Sequence, residues 1–417
     1  MSSLLAAAST GYQLRVYQDN AVKRARMYLT DRRFTGRHGV IVAPTGSGKS
    51  LIIAAIATAL DAPCIVFQPS REILAQNAEK LRGYGYAPEI FSASLNRKRI
   101  GAITLATIGS VVKHAAQFQA FRYVLIDECH LVNAKQGMYR QFLDGLQHAR
   151  ILGLTATPYR LASNALGSQL RFLTRTRPRV FQDVVQYTNL APLFRAGFLA
   201  PIAYHREPLL DQAQLRLNST GADYDNQAVQ QHFAEIGFAA RLRARVEQLL
   251  AEGHRNVLVF TRFTDEARAL AQAIPGAAVV TADTPDHERA GILQGFRDGR
   301  IRVVTNVGVL TVGFDYPELT TVVLARPTMS LALYYQMVGR VLRPHPSKPT
   351  AHVVDLVDLV TRFGRIEDLH MQPGGPKGDQ WVIVSNGVPL TNVYFGPPRG
   401  PATFRNAQEA PCTPSRS

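Results

Sequence analysis

Two short stretches carry side chains that could do chemistry. The run Tyr123-Val124-Leu125-Ile126 is apolar and ends in four consecutive reactive groups, Asp127, Glu128, Cys129 and His130. These could form a thiol or zinc site built on Cys129 and His130, or an acidic strand end. Ala43-Pro44-Thr45-Gly46-Ser47-Gly48-Lys49-Ser50 follows another apolar run and precedes helical spacing. Gly46 and Gly48 let the backbone turn its N–H groups toward a phosphate, and a helix N-terminus behind them adds partial positive charge. Lys49 would reach the β- and γ-phosphates, and Ser50 would bind the Mg²⁺ of the nucleotide. Pro44, Thr45 and Ser47 complete the loop. The strict phosphate-loop pattern fails at its first position, where Ala43 stands.

A nucleotide in that loop gives the acidic stretch its meaning. Asp127 falls at the C-terminal end of its strand and would hold Mg²⁺ through water, because that ion keeps several waters. Glu128 would polarise the attacking water as general base. Cys129 then becomes a small buried spacer. Cys64, Cys129 and Cys412 are the three cysteines, widely scattered and without a CxxC pair. That spacing argues against a disulfide framework and against a structural zinc site.

The elements that must position these groups follow from the apolar pattern. From about residue 39 to 158, short apolar runs alternate with stretches of helical spacing, and the rhythm returns from about 251 to 360. Strands apolar on both faces, separated by helices, predict parallel sheets covered on both sides. The expected organisation is therefore α/β: a first lobe over residues 1–165, a connecting helical and basic segment over 166–250, a second lobe over 251–365, and a loose Pro/Gly-rich tail, partly disordered, over 366–417. Within that tail, Ser385-Asn386-Gly387 has hairpin chemistry. Lysine plus arginine number 47 against 31 acids, a net charge of +16, which suits a polyanionic partner. The longest apolar run, residues 51–60, is too short to span a bilayer. The N-terminus has no basic region ahead of its short apolar run, so no signal peptide is expected.

Four strings in order, APTGSGKS, DECH, GLTATP (153–158) and QMVGRVLR (336–343), resemble the superfamily 2 helicases and translocases. In that superfamily Ala in place of the first Gly is usual. The resemblance covers roughly residues 12–360. It implies two RecA-like lobes with ATP bound between them. It implies that Arg15 and Gln18, in LRVYQ, read the adenine. Ser70 and Arg71, Thr107 and Ser110, and Thr305 in the second lobe are implied to hold a nucleic-acid strand. Thr155 and Thr157 are implied to couple hydrolysis to that strand. Gly313 is implied to allow close backbone approach, and Asp315 to face the ribose or the surroundings of the Mg²⁺. Gln336, Arg340 and Arg343, spaced to share one helix face, are implied to stabilise charge on the γ-phosphate, as arginine fingers do. His130 either links the ATP state to lobe closure or merely caps the strand end.

The motifs are similar to the DNA-directed branch, which includes UvsW-like, RadD-like and RecG-like enzymes. The expected function is an ATP-dependent DNA helicase or branch-migrating translocase using ATP and Mg²⁺, with DNA favoured over RNA. Alternatives are a duplex translocase subunit that does not separate strands, a DExH RNA helicase, or a non-catalytic binding scaffold. No membrane association is expected. Replication or recombination proteins are conceivable partners, and the expected location is the cytoplasm of a bacterial or phage-infected cell.

Overall fold

The computed structural model describes residues 13–146, 148–164, 167–311, 316–374 and 380–395. These fall into two compact units. One takes the described residues up to Tyr159 together with Phe172–Asn189; the other takes Arg160–Arg171 and those from Leu190 onward.

The first unit is built on an eight-stranded sheet. Its strands are β1 (Gly39–Val42), β2 (Cys64–Phe67), β3 (Glu89–Ser92), β4 (Arg97–Lys98), β5 (Ile103–Ala106), β6 (Tyr123–Asp127), β7 (Arg150–Thr155) and β10 (Asp183–Tyr187). Their spatial order is β10-β1-β7-β6-β2-β5-β3-β4, parallel except for the last pair. Successive side chains on a strand point to opposite faces. Ile41, Val66, Leu105 and Leu125 therefore enter one apolar cluster with helices α1 (Val16–Thr30), α2 (Lys49–Thr58) and α3 (Arg71–Gly83). Val40, Ile65, Val124 and Ile126 enter another on the opposite face. This is why the strands read as unbroken apolar runs rather than as alternating ones.

The second unit carries a six-stranded parallel sheet. It consists of β11 (Ile202–Arg206), β12 (Val257–Thr261), β13 (Ala277–Val280), β14 (Val303–Asn306), β15 (Thr321–Ala325) and β16 (Ala351–Asp355), in the order β11-β16-β15-β12-β14-β13. Two small sheets accompany it: β8 (Tyr159–Asn164) and β9 (Gly167–Phe172) with β20 (Tyr394–Phe395), and β17 (Leu369–Gly374), β18 (Gln380–Ser385) and β19 (Val388–Pro389). Residues 166–250 are thus shared out rather than forming a separate connector: β10 edges the first sheet and β11 the second. The stretch from 366 is not loose throughout either. β17 pairs antiparallel with β18, and β18 with β19 across Asn386-Gly387, both at positive φ. That is the conformation an Asn-Gly hairpin turn requires.

Three histidines meet on the second sheet. His205 Nε2 lies 3.1 Å from His352 Nδ1, and the His254 ring stands edge-on to His352 with centroids 4.7 Å apart. His254 Nδ1 also bonds Thr321 Oγ1 at 2.8 Å. Burial holds His254 and His352 below the ordinary imidazole value. Glu252 opposes that shift at His254, while His205 and Arg245 reinforce it. The unfolded chain therefore takes up protons first as pH falls through about 6.5, so stability is lost there. The cluster's contribution to the unfolding midpoint should therefore fall from about pH 7.5 to about pH 5.5, against the opposite contribution of the Asp127 and Glu266 carboxyls, which burial pushes up. His352→Gln should reduce that fall; an unchanged pH dependence would remove the cluster as its source.

Candidate active site

The phosphate loop joins β1 to α2. Gly46 and Gly48 both have φ near +80°, at +81° and +80°, the region where glycine alone is unstrained. A Cβ on Gly48 would also lie 2.5 Å from Gln18 Nε2, so the loop is moulded against α1. Ala43 is buried, and its N–H donates to Thr155 O at 2.9 Å. Its φ is not positive, which is why glycine is dispensable at the position where the strict pattern has it. Ser47 is buried and its hydroxyl donates to Pro44 O. Lys49 and Ser50 open α2, with Gly48 as the cap residue.

Gln18 is 3% exposed. Its Oε1 accepts from Arg15 N–H at 2.9 Å, and its Nε2 donates to Ser47 O at 2.8 Å. Tyr17 OH donates to the same carbonyl at 2.8 Å. One amide hydrogen and one lone pair of Gln18 remain for a base edge. Tyr17 is a contact that sequence reasoning missed, although it stands inside the quoted LRVYQ.

Across the sheet, β6 delivers the acidic pair. Asp127 is buried, and its Oδ1 accepts from Glu128 N–H at 2.9 Å. Glu128 sits at φ +48°, an uncommon conformation for a non-glycine residue that aims its side chain back over the loop. There Glu128 Oε1 pairs with Lys49 Nζ at 2.5 Å. Burial drives the Asp127 carboxyl upward, and the neighbouring Glu128 charge adds to this. Burial pushes Glu128 upward too, but the Lys49 ammonium and His130 outweigh it and hold it low. The pair is thus split, one carboxylate proton-hungry and one firmly ionised.

His130 extends the chain of contacts. Its Nδ1 lies 3.3 Å from Glu128 Oε2, 2.9 Å from Thr155 Oγ1 and 3.2 Å from Thr157 Oγ1. One ring nitrogen cannot serve three partners at once, so this is a branch point. Cys129 points the other way: a Cβ on Gly153 would meet its Sγ at 2.5 Å. Burial raises that thiol well above its ordinary value. Within the first unit the geometry joins His130 to both threonines of the LTATP motif.

Ser70, Arg71, Thr107 and Ser110 leave the C-terminal ends of the adjacent strands β2 and β5. Ser70 caps α3, its hydroxyl accepting from Ile73 N–H at 3.3 Å. Thr107 Oγ1 lies 2.8 Å from Ser110 Oγ, at helix α4 (Ile108–Val111). Lys49, Asp127, Thr155 and these four residues therefore share the strand-end side of one sheet, where open α/β sheets bind ligands.

A family model described as Type III restriction enzyme, res subunit, matches residues 11–160, and one described as Helicase conserved C-terminal domain matches residues 241–345. The chain is 26% identical over 325 residues to a 51.5 kDa protein of a Lactococcus phage, covering 76% of this chain and 65% of that protein. It is 25% identical over 385 residues to the DNA 3′-5′ translocase XPB2 of Sulfurisphaera tokodaii, covering 84% of this chain and 82% of the relative. A solved fragment described as an HsdR subunit of a type I restriction enzyme from Vibrio vulnificus superposes with a TM-score of 0.64 at 21% identity, covering 87% of this chain and 67% of that one. Both models fall in helicase order, each on a unit with its own parallel sheet. The chain belongs to the superfamily 2 helicases and translocases. It spans just under two thirds of the phage relative's length.

The second helicase unit corrects two expectations. Thr305 lies within β14, is fully buried, and donates its hydroxyl to Ala267 O at 2.9 Å. It holds the helix Thr264–Ala273 to the sheet and offers nothing to a strand outside. Gln336, Arg340 and Arg343 do not share one regular helix. The helix Leu331–Gly339 ends before both arginines, and tight turns carry the chain on, Val341 N–H bonding Val338 O and Leu342 N–H bonding Gly339 O. Pro344 adds to this at Arg343, since helical backbone is disfavoured at the residue before a proline. Arg340 still reaches back, its Nε donating to Gln336 O at 3.3 Å. Burial lowers Arg343 to about 10. Gly313 and Asp315 lie outside the described residues.

Lys348 is a residue the motifs did not disclose. It is 3% exposed, and its Nζ donates to Val341 O at 3.0 Å and to Leu319 O at 2.9 Å. It thereby ties the turn bearing Arg340 and Arg343 to the start of β15. Its only sequence signal is a lysine just beyond the arginine motif. Among the described residues no helix is long and apolar enough to cross a membrane.

Proposed function

We propose that this protein is an ATP-dependent DNA helicase or branch-migrating translocase that moves along a strand by its phosphate backbone. The observation that carries this reading is the Lys49–Glu128–His130–Thr155/Thr157 chain. It connects the phosphate loop to the LTATP motif in three steps. The helicase-type domains imply ATP use. Asp127, a buried carboxylate at a strand end, and the Ser50 hydroxyl, in the first turn of α2, are oxygen donors of the kind that fit a hard, hydrated cation. Mg²⁺ held there would neutralise charge on the β- and γ-phosphates.

The chain's own residues would act in sequence. Without a phosphate, Lys49 holds Glu128 ionised but weakly basic. When Lys49 turns to the β- and γ-phosphates, Glu128 loses its largest stabilising partner and its proton affinity rises. It then takes a proton from the attacking water. His130, released or gripped by Glu128, redistributes its bond between Thr155 and Thr157, which reports hydrolysis toward the strand-end side. Arg340 and Arg343 are the cations assigned to charge developing on the γ-phosphate.

DNA is preferred because the archaeal relative bears the name of a DNA translocase and because the chain carries a net charge of +16. The deciding experiment is ATP turnover measured with single-stranded DNA, duplex DNA, forked DNA and RNA. Stimulation by DNA above RNA is expected; stimulation by RNA alone would transfer the assignment to an RNA helicase. That same relative's name also favours a second reading, translocation along duplex without strand separation. Strand displacement and fork regression assays distinguish the two. Arg71→Ala should lower single-strand affinity by about fivefold or more while leaving ATP affinity intact, as the loss of one charge-assisted phosphate contact predicts. An unchanged strand affinity would remove Arg71 from the track.

A further inference from the structure

The outer edge of the first sheet carries an unusual concentration of charge. Asn96, Arg97, Lys98, Arg99 and Ile100 are all exposed, and Asn96 makes the turn at φ +49°. Arg97 pairs with Ser92 and Lys98 with Phe91, and Arg99 N–H donates to Ile90 O at 3.0 Å. Among the described residues none of the three cations is ion-paired. They line a cleft of about 420 Å³ with Ile90, Asn96 and one acid, Glu89.

Basic side chains on an edge strand have a simple use, which is to prevent edge-to-edge pairing. Two observations point further. The first is the cleft itself, a concavity rimmed by three cations. The second is the tie between this hairpin and the strand-holding positions. Ala93 N–H, in the turn Ala93–Leu95 that leads into β4, donates to Ser110 Oγ at 2.9 Å, and Ser110 is bonded in turn to Thr107. The hairpin is anchored to the place where a single strand is assigned.

We propose that the hairpin 96–100 grips the phosphodiester backbone of a double-stranded DNA arm adjoining that single strand. The proposal rests on the reading of the protein as a DNA-directed translocase. Arg97 and Lys98, successive residues of β4, stand on alternate sides of the ribbon and so spread charge across the cleft that both line with Arg99. A single strand passes on one face; a duplex presents two phosphate rows bordering a groove, wide enough on the major side to admit a β-ribbon. Contacts to phosphate alone position the arm and do not read its sequence.

The test uses the full chain and the triple variant R97Q/K98Q/R99Q, with circular dichroism and sedimentation confirming fold and oligomeric state. Affinity is measured against salt for a single-stranded oligonucleotide, a forked DNA with one duplex arm, and the same fork with an RNA duplex arm. The expected result is a loss of about tenfold to a hundredfold on forked DNA at physiological salt, with the log–log salt slope reduced by about 2.7 for three lost phosphate contacts. Single-strand affinity and single-strand-stimulated turnover should stay within about twofold. Unchanged fork affinity overturns the proposal, and does so as edge protection if the variant self-associates. An equal loss on the single strand overturns the duplex assignment, and an equal loss on the RNA arm overturns the commitment to DNA. Failure of the underlying reading shows separately, as wild-type protein with no DNA-stimulated turnover.

Discussion

Glu128→Gln should bind ATP and nucleic acid yet hydrolyse ATP at least about 10²- to 10⁴-fold more slowly, the range expected for losing a positioned base. The amide oxygen can still accept from Lys49, whose Nζ stands 2.5 Å from Oε1. The fold around the αL backbone at residue 128 should therefore survive, and thermal unfolding should move little. What is lost is the capacity to take a proton once Lys49 has turned to the phosphate. Fluorescent-nucleotide binding measured beside single-turnover hydrolysis separates the two effects. Hydrolysis within about threefold of wild type would remove Glu128 as the base and leave it a partner of Lys49 only.

Lys49→Ala should cost on the order of 10³-fold in turnover, as removal of a preorganised cation at developing charge does. Unlike the first substitution it should weaken nucleotide binding as well. It should also disturb the resting protein, because Asp127 is buried, Glu128 beside it is largely so, and Lys49 is the cation that lowers both. Two adjacent, poorly solvated carboxylates without it would share a proton, as closely spaced like charges do. The loss of midpoint relative to wild type should therefore be larger at pH 8 than at pH 6, since rising pH strips that shared proton. A destabilisation independent of pH across this interval would argue that the carboxylates are screened by solvent, and that the split between them does not depend on Lys49.

The two substitutions test different links. Glu128→Gln keeps the ground-state contact and removes the chemistry. Lys49→Ala removes the contact and the phosphate ligand together. Agreement between them on turnover, with divergence on binding and stability, is the pattern that the pairing of Lys49 with Glu128 requires.

Much of the candidate site was legible in the order of residues alone, and for a physical reason. A phosphate loop is made of local backbone geometry, so Gly46, Gly48, Lys49 and Ser50 report it within eight residues. Asp127 is where an apolar run stops, and strand ends place their last side chains at the ligand-binding side of a parallel sheet. Both sheets followed from runs apolar on two faces, because a strand buried on both sides has no polar positions to spare.

What only the tertiary structure decided involves partners far apart in sequence. Ser70 and Arg71 join Thr107 and Ser110 because β2 and β5 are neighbours. Thr305 looked available for a strand, but the approach of Ala267 carbonyl consumes its hydroxyl in the core. Arg343 looked like a third helical residue, but the helix stops at Gly339, Pro344 disfavours helical backbone at Arg343, and Lys348 holds the intervening turn. His130 was undecidable from its neighbours Cys129 and Leu131. Its partners came from β7 and the turn after it, which set Thr155 and Thr157 against its ring. The sequence by itself determined the phosphate loop, the acidic strand end and the alternation that builds parallel sheets, because each is written in contiguous residues. Which hydroxyl is free, which cation is held and which imidazole links two motifs depend on sheet order and burial, and those are properties of the packed chain.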